Sequence, residues 1–214
     1  MTQGQPDATL AVMLLRILAF LVIVASPAAA SECETSPRPV WPVACADAQV
    51  RVLMLELATT ERAVQDNPML TPAARIAAAI IGEATLRRLD ACVSTASPLP
   101  CIRLNAMRRI GEIWNMELLP DGYRGQSRTT LVFCPTHAAP VRLVRVETDP
   151  VLLWTSYPYG ALLERDPASR NVVYGGQWSE GTLDLGITPA GRLVLTGTEP
   201  RPIECFIDDL NWLR

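Results

Sequence analysis

Residues 119–134 read LPDGYRGQSRTTLVFC, and the fold turns on how this stretch is read. Its first ten residues, 119–128, are polar and carry Pro120, Gly122 and Gly125, the composition of a linker. From Thr129 the chain becomes apolar and β-branched. Upstream, from Cys45 to Leu118, apolar residues recur at helical spacing. Val50, Leu53, Leu57 and Val64 make a first stripe. Ile76, Ala79, Leu86, Leu89 and Val93 make a second, and Ile102, Ala106, Ile110 and Ile113 a third. Breaks at 67–72 and 97–100 separate them, and Thr71-Pro72 fits an N-cap followed by Pro at the first helical position. Arg108 and Glu112 are spaced to pair at i, i+4 on the wet face. Arg87-Arg88 and Arg108-Arg109 read as solvated helix faces.

Downstream the period is two. Strands are expected at 129–134, 141–147, 151–155, 172–178, 182–187, 192–196 and 203–207. Leu183 and Leu185 alternate with Thr182 and Asp184, as a half-buried strand requires. The expected fold class is therefore α+β. A disulfide-stapled three-helix bundle precedes a small antiparallel β-barrel. The expected boundaries are a leader at 1–30, a helical domain at 31–118, a linker at 119–128 and a barrel domain at 129–214.

The leader reading rests on residues 17–25, ILAFLVIVA, which follow Arg16 and precede Ala28-Ala29-Ala30. A basic residue, a short apolar core and a small-x-small end have the form of a secretory signal peptide. Cleavage is expected after Ala30, and the start at Met1 or Met13. The apolar run is too short to span a bilayer, so no stable membrane span is expected after cleavage, and the chain is read as periplasmic or secreted.

Six Cys on an exported chain imply disulfides. Cys45 opens the first expected helix, Cys92 closes the second and Cys101 opens the third. In an antiparallel arrangement these three meet at one end, and Cys33 can reach it. Cys33, Cys45, Cys92 and Cys101 are thus expected to pair among themselves. Cys134 ends the first strand of the second half and Cys205 lies in its last, so a bridge between these two would close that domain. No C-x-x-C occurs, and Cys134-Pro-Thr-His137 offers only two ligands, so no metal and no cofactor is expected.

The composition excludes further classes. The chain has 214 residues, 49% hydrophobic and 19% charged, with a net charge of −3. That is too apolar for a disordered chain. All 19 basic residues are Arg, yet no basic excess exists to hold a nucleic acid. No phosphate loop, dinucleotide fingerprint or repeat is present. His137 is the only His, and no nucleophile elbow accompanies it. No spacing singles out a glycosidase carboxylate pair. The chain is read as non-catalytic.

Two resemblances follow from the Cys spacing and the loop motifs. Residues 31–118 resemble the N-terminal domain of the LprI-type lysozyme inhibitor family. Cys33, Cys45-Ala-Asp, Leu86-Arg-Arg-Leu-Asp-Ala-Cys92 and Cys101-Ile-Arg carry that likeness. Residues 129–207 resemble the MliC family of membrane-bound or periplasmic inhibitors of c-type lysozyme, through Val132-Phe133-Cys134, Ile203-Glu204-Cys205, Ser169 to Tyr174, and Trp178-Ser179-Glu180-Gly181. The second resemblance implies a small barrel whose loop enters the lysozyme cleft. It also implies partner contacts at Ser169, Arg170, Tyr174, Trp178 and Glu180. The family's Lys is Glu180 here, a like charge toward acidic catalytic residues, and Arg170 is the side chain that could replace it. The resemblances imply an inhibitor of c-type lysozyme. The alternative is an envelope binding or structural protein that keeps both folds and has another partner. Read as ordinary structure, Tyr174 and Trp178 are core or edge packing, Ser169 caps a turn, and Glu180 is a solvated turn charge.

Overall fold

The computed structural model describes residues 32–33, 35–135, 140–146, 151–156, 159–166, 173–178, 181–188, 190, 192–197 and 201–207. The chain divides into two compact units, 1–37 and 38–214. The described part of the first is residues 32–33 and 35–37. The second is mixed helix and sheet, with four helices followed by an antiparallel barrel.

Four helices stand where three were expected. They are α1 (Val40–Cys45), α2 (Ala48–Asp66), α3 (Pro72–Cys92) and α4 (Pro98–Asn115). Cys45 therefore ends a short first helix rather than opening a long one. Asp47 restarts the chain as the N-cap of α2, accepting from the amides of Gln49 and Val50 at 3.0 and 2.9 Å. Thr71 caps α3 through the Ala74 amide at 3.1 Å, with Pro72 at the first helical position. In α2, Val50, Leu53, Leu57 and Val64 are buried, as are Ile102, Ala106, Ile110 and Ile113 in α4.

The stripe expected on α3 holds only in part: Leu89 is buried and Leu86 and Val93 are partly buried, but Ile76 and Ala79 are exposed. Ile76 is 62% exposed and Ile80 65%, whereas Ala78, Gly82, Thr85, Leu89 and Cys92 are buried. Small residues face inward because α3 must pass a buried ion pair. Arg109 of α4 is only 1% exposed, against the solvated face expected of it. Its Nε and Nη2 donate to the two Glu61 carboxylate oxygens at 2.7 and 3.2 Å, and Nη2 also donates to the Ala78 carbonyl at 3.1 Å. A Cβ on Gly82 would stand 2.9 Å from Glu61 Oε1, so a larger residue there would press on the carboxylate that pairs with Arg109. Glu112 meets Arg109 at 3.5 Å rather than Arg108. The two-pronged geometry and the third acceptor satisfy a guanidinium that would otherwise be costly to bury.

The barrel is β1 (Ser127–Phe133), β2 (Val141–Val146), β3 (Val151–Ser156), β4 (Tyr159–Arg165), β5 (Val173–Trp178), β6 (Gly181–Ile187), β7 (Leu193–Thr196) and β8 (Ile203–Ile207). Each strand pairs antiparallel with the next, and β1 pairs with β8 to close the ring. β4 was not expected. Ala161-Leu-Leu-Glu-Arg165 is a run of good helix formers with no clean alternation. Pairing to β3 through six registered residues overrides that local preference. Val132, Val141, Leu143, Leu163, Leu185 and Leu195 are among the inward side chains that fill the interior. Gly176 sits where a Cβ would strike the Leu162 carbonyl, so β5 can approach β4 only without a side chain there.

Two disulfides are resolved as pairs, Cys92–Cys101 and Cys134–Cys205. Cys33 and Cys45 are also disulfide-bonded. Cys134–Cys205 sits at the β1–β8 seam, where only Val132↔Ile207 and Phe133↔Phe206 are in register. No described helix is long and apolar enough to cross a membrane.

Helix α4 ends in a left-handed cap. The Leu118 amide donates to the Ile113 carbonyl at 3.1 Å and the Glu117 amide to Trp114 at 3.2 Å, while Ile113 and Leu118 pack together. This is the Schellman pattern, which places Glu117 at the position usually held by glycine. Its φ is 53°. Glu117→Gly removes the Cβ strain, and denaturant unfolding should show a gain of about 0.5–1 kcal/mol. A loss would mean that Glu117 stabilises the cap by other contacts.

Candidate functional site

The expected partner contacts centre on β5. Ser169, Arg170 and Glu180 lie outside the described residues, as does His137. Tyr174 is described, and it is 6% exposed within the barrel core. Burial pushes its hydroxyl above the ordinary tyrosine value. It packs in the barrel core, and little of its surface is exposed. The backbone of Trp178 ends β5, and its side chain lies outside the described part.

The ladder of β5 and β6 also separates the motifs. Trp178 pairs with Gly181 at one end, and Val173 pairs with Gly186 at the other. Ser169 and Arg170 precede Val173 in the chain, and Glu180 follows Trp178. Five strand steps, roughly 17 Å, lie between those two ends.

The densest polar constellation among the described residues lies elsewhere, where the helices meet β1. Glu56 of α2 is 3% exposed. Its carboxylate accepts from Tyr123 Oη at 2.9 Å, the Gln126 amide at 2.7 Å, and the Ser127 amide and Oγ at 2.8 and 2.5 Å. Trp114 Nε1 donates to Ser127 Oγ at 3.1 Å, and its ring meets that of Tyr123 edge-on, centroids 6.0 Å apart. Burial, then the Glu56 charge, holds the Tyr123 hydroxyl well above the ordinary tyrosine range. A Cβ on Gly125 would collide with the Tyr123 hydroxyl. The segment that reads as a linker is thus fixed to α2 at three residues. Nothing local in the sequence marks Glu56, because its partners lie 67 to 71 positions away.

Beside this anchor a cavity of about 640 Å³ opens between the 67–70 connection, the end of α4 and the outer wall of β2. Trp114, Leu70 and Leu119 give it apolar surface, and Glu117, Asp121 and Arg142 give it charge. Arg142 donates from Nε to Asn115 Oδ1 at 3.2 Å and from Nη1 to Thr129 Oγ1 at 3.3 Å. Partial burial lowers its pKa and the Glu117 charge opposes that shift. Among the described residues, no group of three His, Cys, Asp or Glu side chains is placed to hold a metal ion.

Comparison with protein-family models, with curated proteins and with solved structures finds no match.

Proposed function

We propose that this chain is an exported, non-catalytic binding protein and that its partner is a c-type lysozyme. The observation that carries the reading is the closed barrel, filled by its own side chains and braced by Cys134–Cys205. A filled interior leaves the rims and outer wall for recognition. The likeness of 129–207 to the MliC family supplies the partner, and that of 31–118 to the LprI-type domain accords with the disulfide-stapled helical half that precedes it. A signal peptide at 1–30 places the mature chain in the periplasm or outside the cell, which the disulfides accord with.

The separation of the β5 ends bears on the mechanism. The reading assigns the main contact to Arg170 and none to Glu180. Arg170 is the plug in this reading, a guanidinium suited to two-pronged contact with catalytic carboxylates. Oxidised mature protein titrated into a c-type lysozyme acting on cell wall should inhibit fully near one-to-one stoichiometry. Arg170→Ala should weaken inhibition by about tenfold or more, and Glu180→Lys should leave it unchanged. Absence of inhibition at micromolar excess removes lysozyme as the partner.

A second reading, an envelope binding protein with a changed partner, is favoured by one observation. Tyr174, a contact that the resemblance implies, is core here.

A further inference from the structure

The cavity at the end of α4 holds opposite charges apart. No described carboxylate comes within 4 Å of Arg142, although Glu117 and Asp121 line the same space. Mobile side chains of opposite sign would close on one another. Here the Arg142 side is held. Arg142 is fixed through two neutral acceptors, and its Nη2 has no partner among the described residues. The backbone of Glu117 is set by the left-handed cap of α4, which places its carboxylate on the same cavity.

We propose that this cavity binds a small zwitterion with an apolar side chain, an α-amino acid or a compound of the same chemistry. Its carboxylate meets Arg142, its ammonium meets Glu117 and Asp121, and its side chain lies against Leu70, Leu119 and Trp114. A phosphate dianion would face two carboxylates, and a simple cation would face the guanidinium. A ligand carrying both charges satisfies both walls. A volume of about 640 Å³ is within the range of small-molecule sites. This inference is independent of what the barrel binds.

Calorimetric titration of the full oxidised protein tests it with three probes: L-leucine, N-acetyl-L-leucine, which lacks the ammonium, and L-leucinamide, which lacks the carboxylate. L-leucine should bind saturably at one site, and each derivative about tenfold more weakly or worse. Arg142→Gln should weaken L-leucine by about tenfold and leave L-leucinamide unchanged. Glu117→Gln should weaken L-leucine and leave N-acetyl-L-leucine unchanged. Glu117 is exposed, so this second variant decides the question even if Arg142→Gln fails to fold. Equal binding of the three probes overturns the proposal. So does an unchanged L-leucine affinity in Glu117→Gln, or no saturable heat with L-leucine at about 10 mM.

Discussion

Glu56→Ala should lower the unfolding free energy by about 4 kcal/mol, read as a shift of the urea midpoint at unchanged slope. The carboxylate is the acceptor for two backbone amides and two hydroxyls. Its removal strands donors at a site where Ser127 is 1% exposed. Each abandoned buried donor costs about 1–3 kcal/mol, and the two amides cannot turn away. Glu56→Gln separates charge from shape. The amide keeps one acceptor oxygen but brings a donor toward donors, so about half of the loss should remain. A loss under about 1 kcal/mol in Glu56→Ala would mean that water replaces the carboxylate and that the anchor is dispensable.

The double variant Cys134→Ala/Cys205→Ala should lose about 4 kcal/mol. The bridge spans 71 residues, and the chain-entropy account gives a larger effect for longer loops. It also crosses the seam held by only two registered pairs. The control is Cys92→Ala/Cys101→Ala, where the separation is 9 and the same account gives about 2.5 kcal/mol. Equal losses in the two double variants would rule out loop length as the cause.

What could be read from the sequence depended on how each element is buried. Helices α2 and α4 bury large aliphatic residues such as Leu53, Leu57, Ile102 and Ile110, so their period is visible. α3 buries Ala78, Gly82 and Thr85, which carry little apolar signal, while Ile76 and Ile80 point outward. Over the first half of that helix the large apolar residues mark the wrong face, and only Leu89 near its end marks the right one. Arg109 defeats the reading for a related reason. Sequence offers no sign that Glu61, 48 positions earlier, waits for it. β4 is invisible because ALLER is helix-prone and only its neighbours in the sheet impose extension. β6, where Leu183 and Leu185 alternate with Thr182 and Asp184, needs no such help. The candidate site was legible only as far as residue types allow. The period of two puts Tyr174 on one face of β5, but which face is interior depends on the closed ring. Glu56 and the Arg142 cavity depend on contacts between distant segments, and no local pattern announces them.

The Glu56 anchor has a temporal consequence. A chain that emerges from its N-terminus presents α2 long before residues 123–127 exist to meet it. Until then the carboxylate stays hydrated at a position that the finished protein seals. The helices can gather early through contacts close in sequence, but the sealing of α2 waits for a segment about 70 residues downstream. Closing so long a loop is slow relative to helix formation. The arrival of Ser127 therefore does two things in one step: it finishes the helical half and fixes the starting point of the strand from which the whole barrel is built.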